Sequence, residues 1–503
     1  MSGFGLGGED CDESKCQSRC EKDGDHCDPL RNCSSGNYNC LMKCKGEGCK
    51  QKCDTGVELC ELNLECIGND CDQTCTANTC KLNCRGKFCK TQKCLKEGGL
   101  ACEMDLECNH QDCEQICNAD KCNLTCSGEK CKTQKCEGEG NVCEMDLECN
   151  GRDCDQTCKA NRCKMNCNGG KCKTQKCQGR GYTCEMELEC QNQDCEQNCN
   201  AEMCSVNCNG SKCKTQKCQG NGYSCEMELE CNSHDCDQTC DAERCNLTCS
   251  GSHCKTQKCQ GKGYACGIDL ECNSQDCEQI CDAEICNLNC SGSHCKKQKC
   301  QGKGYACEME LECNSQDCEQ TCDAERCNLT CSGSKCKTQK CQGKGYTCDM
   351  KLECNGQDCE QTCDAERCNL NCSGINCKKQ HCTGTVQMCN MHCNAGDCIQ
   401  MCDGTCNITK TWPTSSHDKL MCSGNGQCCK ILMLSSKSWS LTTRIFQTVC
   451  GQDKSCICTK FPNSHSTTSN LSMSNSITSI GASTFRVFAT KTSTGHGTET
   501  YSE

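Results

Sequence analysis

Along most of the chain the apolar positions are cysteines, leucines and methionines set at fixed intervals in a polar background, and the pattern repeats. Units begin at Cys60, Cys102, Cys143, Cys184, Cys225, Cys266, Cys307 and Cys348, and each has eight cysteines. The interval from one start to the next is 41, and only the first is one longer. A period of this size marks a stacked repeat architecture and governs how every other feature is read. The seventh unit is CEMELECNSQDCEQTCDAERCNLTCSGSKCKTQKCQGKGYT, with spacing C-x5-C-x4-C-x3-C-x4-C-x3-C-x4-C-x4-C-x6. Partial units at Cys40–Cys53 and Cys389–Cys406 flank the array, where a stack places its atypical ends.

A finer period lies inside the unit. Leu311-Glu312-Cys313 is echoed at an offset of 18 by Leu329-Thr330-Cys331, and the next Leu-x-Cys, Leu352 to Cys354, follows at an offset of 23. Cysteines at every fourth or fifth position fit neither the 3.6-residue period of a helix nor the two-residue period of a strand. They fit a coil with four short sides. The expected fold is all-β with irregular stretches: a disulfide-stapled β-solenoid of tandem 41-residue units, each made of an 18-residue and a 23-residue coil. Each side contributes one inward cysteine, and short Leu-x-Cys strands alternate in, out, in. The five extra residues of the longer coil lie around QGKGY and EMELE. This register predicts that Leu311, Leu329 and Leu352 stack in one column.

Charge gives an independent register. Asp-Cys-Asp/Glu occurs in all eight units, as at Asp112-Cys113-Glu114 and Asp317-Cys318-Glu319, and at an offset of 18 stand Lys130-Cys131-Lys132 and Lys335-Cys336-Lys337. The second lysine is present in every unit, whereas Phe88, His253, His294 and Asn376 replace the first. With rungs about 4.8 Å apart, acids above lysines favour one register and disfavour slipped ones.

Composition narrows the function classes. There are 84 cysteines in 503 residues, 3% aromatics and three prolines, so cysteine supplies nearly half of the 35% hydrophobic content. Cysteine above roughly 8–10% marks a disulfide scaffold rather than an apolar-core protein, and disulfides persist in oxidising compartments. An extracellular location is therefore expected, although no secretory signal is visible at Met1, which reads as an internal or misassigned start or the edge of a fragment. Net charge −13 argues against a nucleic-acid partner. No apolar run approaches the roughly 18 residues of a membrane helix, so no membrane insertion is expected.

With Cys-Lys-Thr-Gln-Lys-Cys in one coil and Glu-Gln-Thr in the other, the array over roughly residues 40–408 resembles the disulfide-stapled β-solenoids, of which beetle antifreeze proteins are the smallest examples. It is similar, too, to secreted cysteine-rich tandem-repeat proteins of invertebrates. The resemblance implies a secreted stapled rod. It does not imply ice binding, because antifreeze coils are shorter and carry Thr-x-Thr rows that this chain lacks.

Thiolate metal storage is the sharpest chemical alternative, since Cys-x3-Cys recurs throughout, close to structural zinc spacing. Metallothionein-like clusters depend on Cys-x-Cys and Cys-Cys, which occur only at Cys456-Cys458 and Cys428-Cys429, outside the repeats. No calcium-loop pattern, phosphate loop or catalytic constellation is present. The reading is of a non-enzymatic chain with no cofactor and no metal.

Two surface features are candidates for function. Tyr182, Tyr223, Tyr264, Tyr305 and Tyr346 occupy the same G-x-G-Y loop one unit apart, forming a contact edge suited to protein or glycan. Asn123, Asn246 and Asn328 head the best Asn-Leu-Thr glycosylation signals. The expected organisation is a loose cysteine-containing cap at 1–39, the solenoid at 40–406 with its full units at 60–388, a small six-cysteine module at 407–460 and a Ser/Thr-rich disordered tail at 461–503. The expected function is an extracellular structural or adhesive rod presenting repeated surfaces to an extracellular polymer or to other protein rods, including copies of itself. A binding receptor or lectin-like module and metal storage are the alternatives.

Overall fold

The computed structural model describes residues 39–411 apart from short loop segments, together with short strands between Cys16 and Cys33 and between Lys419 and Arg486. Most of the expected cap, six-cysteine module and tail lies outside the described residues. Among the described residues there is no helix. They fall into two compact halves, Met1–Asn287 and Leu288–Glu503, and each is a parallel β-solenoid held by disulfides.

Every coil has two sides. In the first half, strand Cys113–Cys117 pairs in parallel with Cys131–Cys136, and the intervening strand Lys121–Ser127 pairs with Val142–Glu148. Two sheets therefore face one another, one carrying C-x-Q-x-C and the other C-x-L/M-x-C/L. The four-sided coil expected from the cysteine spacing is corrected by this pairing. The physical reason is parity: Cys113 and Cys117, or Cys122 and Cys126, are an even number of residues apart and point to the same face of an ordinary strand. Their strands show strict alternation, with the cysteines, Gln115 and Leu124 buried and the residues between them more exposed.

Odd spacings mark the turns, and there the disulfides form. Cys108–Cys113, Cys117–Cys122 and Cys126–Cys131 span five residues each, and Cys136–Cys143 spans seven. Each bridge staples the end of one strand to the start of the next within a coil. None links one coil to another among the described residues. Most described cysteines are bridged, as expected for a scaffold of an oxidising, extracellular environment. Three of the corresponding turns hold side-by-side thiols instead: Cys300 with Cys307 and Cys341 with Cys348, seven residues apart, and Cys94 with Cys102, eight apart in the longer first unit. Burial lifts the Cys102, Cys307 and Cys348 thiols well above the ordinary thiol range.

The expected division into coils of 18 and 23 describes one turn only. In the second half Cys318 pairs with Cys336, an offset of 18, and its disulfide sulfur lies against the Cys295 carbonyl, an offset of 23. At the middle of the same sheet Gln298, Gln320 and Gln339 align at offsets of 22 and 19, and on the opposite sheet Met309, Leu329 and Met350 align at 20 and 21. Extra residues enter at different turns and cancel around the coil. The leucine column is corrected accordingly: Leu311 and Leu352 share a column with Cys331 between them, while Leu329 stands one column over with Met309 and Met350.

A buried polar spine runs through each solenoid. In the first half the fully buried Gln115 donates its side-chain N–H groups to Gln92 Oε1 at 2.9 Å and to the carbonyls of Thr125 at 2.8 Å and Met104 at 3.3 Å. Gln134 repeats this on Gln115 at 2.8 Å, and the ladder runs from Gln51 to Gln279. In the second half it runs from Gln298 through Gln320, Gln339, Gln361 and Gln380 to Gln400. Inside the ladder, as at Gln115 and Gln320, the amide ties its own sheet to the backbone of the facing one and accepts from the next rung, so a polar group in a cysteine-lined interior is satisfied on both ends. Only at the end of the ladder does Gln400 Oε1 lack a partner among the described residues. The Gln/Leu/Met/Cys interior is narrow enough that no large apolar core is needed.

Glycine is required where the turns approach one another. Gly251 has φ of 108°, and a Cβ there would run into the Cys231 carbonyl of the coil before. Gly345 stacks on Ala324, whose carbonyl oxygen would lie 2.5 Å from an added Cβ.

Candidate functional site

With the interior filled by cysteine, leucine, methionine and glutamine, the chemistry available to partners lies on the two sheet faces and the two turn edges. On the C-x-Q-x-C face, acids and threonines alternate down one column, as in Glu114, Thr133, Asp155 and Thr174. The next column alternates threonine or a similar residue with lysine, as in Lys135, Thr157 and Lys176. Each of these threonines thus has an acid or a lysine above and below it, and no continuous threonine array forms.

The expected charge ladder exists in a shifted form. Between Cys113 and Glu114 the pairing slips by one residue, so that Glu114 faces Thr133 and Lys132 is left as the bulged residue. From the bulge Lys132 reaches back to Asp112 at 3.0 Å, rather than lying over Glu114. Glu114 meets Lys135 instead, also at 3.0 Å. The contact recurs at Lys90–Asp70, Lys173–Asp153, Lys214–Asp194 and Lys255–Asp235 in the first half, and at Lys337–Asp317 in the second. The hydrogen bond to aspartate raises the pKa of Lys90, Lys173, Lys214, Lys255 and Lys337, with the aspartate's charge adding to it. This explains why the second lysine of the motif is invariant among the units and the first is not.

The opposite face carries outward carboxylates on alternate coils. Strand Thr183–Glu189 points Glu185, Glu187 and Glu189 outward, and the next strand on that sheet, Met203–Asn209, sets Ser205, Asn207 and Asn209 against them. Alternating an acidic coil with an amide or hydroxyl coil keeps the carboxylates about 10 Å apart along the stack, two rungs of roughly 4.8 Å. Nothing in the spacing of cysteines announces this face; it emerges once the sheet register is known.

The glycosylation candidates are on the same face. Asn123 and Asn246 are outward positions of strands Lys121–Ser127 and Cys236–Ser250. Asn328 is also exposed and donates through Nδ2 to Glu308 Oε1 at 3.1 Å on the neighbouring coil.

The tyrosines occupy the edge formed by the seven-residue turns. In the first half Tyr182, Tyr223 and Tyr264 are 58%, 60% and 53% exposed, and in the second Tyr305 and Tyr346 are 48% and 56% exposed. A ring packed over its own loop would be mostly covered; these are not. In the first half the intervening coil is held close to the tyrosine turns: Met203 donates its backbone N–H to the Tyr182 carbonyl, and Tyr223 donates its own to the Glu202 carbonyl. In the second half the Arg326 guanidinium lies 5.0 Å from the Tyr305 ring centroid, a cation–π contact.

Sulfur atoms come close enough to surround a soft metal in several places, as at Cys122, Cys136 and Cys143, all within 4.8 Å of one another. Those three are all in disulfides, and metal ligation calls for thiolate. The group Cys80, Cys94 and Cys102 retains two thiols, but Cys80 is bridged to Cys75.

No protein-family model matches the chain, and no curated protein or solved structure shows significant similarity to it.

Proposed function

We propose that this chain is a non-enzymatic, secreted structural or adhesive rod, whose work is to hold a protease-resistant shape and present repeated surfaces to an extracellular polymer or to other rods. The observation that carries the reading is the division of labour between inside and outside. The interior is spent on disulfides and the glutamine spine, while the same turn of successive repeats exposes a tyrosine. Linked weak contacts at regular spacing raise avidity by about 10²–10⁴ without any single strong site. Exposed aromatic rings are effective anchors for protein and glycan surfaces. Glycans at Asn123, Asn246 and Asn328 would project from the acidic face and leave the tyrosine edge open.

The test is the five-fold replacement of Tyr182, Tyr223, Tyr264, Tyr305 and Tyr346 by Ser in the full chain. The variant should keep its disulfide-stapled fold, seen as an unchanged circular dichroism spectrum and protease resistance, while self-association in sedimentation and binding to extracellular matrix drop at least tenfold. Association equal to that of the parent would overturn the role of the edge.

A further inference from the structure

The tyrosine edge is chemically distinctive as well as exposed. One-electron oxidation of a protein produces radicals mainly at thiols, indoles and phenols. Among the described residues there is no tryptophan, and the cysteines from Cys53 to Cys406 are buried, either bridged or held as thiols. Burial raises the Cys102, Cys307 and Cys348 thiols, which removes their reactive thiolate at neutral pH. Interior methionines such as Met145, Met186 and Met309 are buried. The exposed Met203 and Met388 take an oxygen atom to become sulfoxides and do not couple. Phenols are thus the one exposed group on the described surface that yields a coupling radical.

Their arrangement favours coupling between molecules. Within the first half successive tyrosines stand two rungs apart, about 10 Å at 4.8 Å per rung, with Glu202 on the coil between Tyr182 and Tyr223. A second copy carries the same spacing, so two apposed edges bring several phenols together in one register. In the second half the Arg326 guanidinium lies 5.0 Å from the Tyr305 ring centroid and leaves that tyrosine 48% exposed, so the ring remains open to a second copy.

We propose that Tyr182, Tyr223, Tyr264, Tyr305 and Tyr346 are oxidative cross-linking sites that join copies of this chain through dityrosine. The proposal rests on the tyrosine edge being a contact surface. The oxidant is hydrogen peroxide acting through a haem peroxidase. Each of two phenols loses one electron and one proton; the two radicals join through the ring carbons ortho to oxygen, and the ring hydrogens move to the oxygens and restore both phenols. The peroxide takes up the two electrons and two protons and leaves as two waters, and the peroxidase is regenerated.

The experiment uses the oxidised full chain as an equal mixture of unlabelled and ¹⁵N-labelled protein, treated with a plant haem peroxidase and hydrogen peroxide. The expected result is dityrosine fluorescence together with mixed-isotope cross-linked peptides from the G-x-G-Y turns. Replacing the five tyrosines by Phe should cut the dityrosine yield at least fivefold. The Phe variant removes only the phenol hydroxyls, so its lost dityrosine reads the coupling chemistry, whereas lost association in the Ser variant reads the contact edge. Loss of association in the Ser variant with no cross-linking in the parent defeats this proposal and leaves the contact edge standing. An undiminished yield in the Phe variant, or edge cross-links only within one isotope, also overturns it.

Discussion

Gln175 donates its side-chain amide to Gln156 Oε1 at 2.8 Å, and Gln156 donates to Gln134 at 2.9 Å, so one amide hands its hydrogen bond to the next through the middle of the solenoid. Replacing Gln156 by Leu leaves Gln134 Oε1 and the carbonyls of Met145 and Asn166 without this donor. Each buried polar group left unsatisfied costs about 1–3 kcal/mol. Because the neighbouring turns stay stapled, the loss should surface as faster amide hydrogen exchange confined to the rungs around 134–175. Exchange rates indistinguishable from the parent would show that the spine carries no stability. Gln156→Glu adds a sign test. Burial would hold that carboxyl above its unfolded value, so the variant should be least stable above the raised folded pKa and regain stability as pH falls toward the unfolded one.

Disulfide mapping of unreduced protein should find partners five or seven residues apart within the full units, as in Cys199–Cys204 and Cys218–Cys225, and four apart at Cys402–Cys406. In the chain-entropy account, closing so short a loop contributes roughly 2–2.5 kcal/mol. Replacing both members of one pair by Ala should therefore weaken one coil and leave the others intact. Bridges between register partners on adjacent coils, such as Cys113 with Cys131, would contradict the fold.

Alkylation at neutral pH should leave Cys94, Cys102, Cys300, Cys307, Cys341 and Cys348 unmodified in the native protein and label them only after denaturation. They are buried, and burial pushes Cys102, Cys307 and Cys348 toward the protonated form. Rapid native labelling would place these turns in contact with solvent.

The lysine rungs give a pH dependence with a definite sign. Lys173 is held above its usual value by its hydrogen bond to Asp153 and by that residue's charge. Its contribution is fully present below the unfolded lysine pKa and is lost as pH rises through the raised folded one. Resonances of the Lys173 side chain should titrate at higher pH than those of free lysine, and Asp153→Asn should return them to the ordinary value. A titration midpoint unmoved by Asp153→Asn would remove the ion pair from the register argument.

Two glycines of similar appearance should behave differently. Gly251→Ala puts a side chain at positive φ against the Cys231 carbonyl and should cost about 1–3 kcal/mol. Gly267 has no such constraint, since an added Cβ would meet only Asn246 Oδ1 at 3.4 Å. Gly267→Glu, which restores the residue common at this place in other units, should be close to neutral in thermal unfolding.

The sequence alone determined the period, the solenoid, its reliance on cysteine and the pairing of acids with lysines, because each repeats eight times and chance does not. It also contained more than a plain count of its cysteine spacing offers. Even separations such as Cys318 to Cys322 are strands and odd ones such as Cys322 to Cys327 are bridged turns. The one odd spacing of the unit that is not a turn, Cys336 to Cys341, holds the bulge that frees Lys337 for Asp317. Read as a simple count, the same spacing implies four sides where there are two.

Tertiary structure decided which residues stand over one another. A 41-residue repeat fixes only the sum of two coils, and the turns divide that sum differently at the cysteine, glutamine and leucine columns. Leu329 therefore stacks on Met309 instead of Leu311. The glutamine spine could not be read from residue type, because glutamine is ordinarily a surface residue and Gln320 is flanked by Glu319 and Thr321. It is buried because its strand position points inward, and it stays buried because the facing carbonyls and the next rung's amide meet every hydrogen-bonding demand it has.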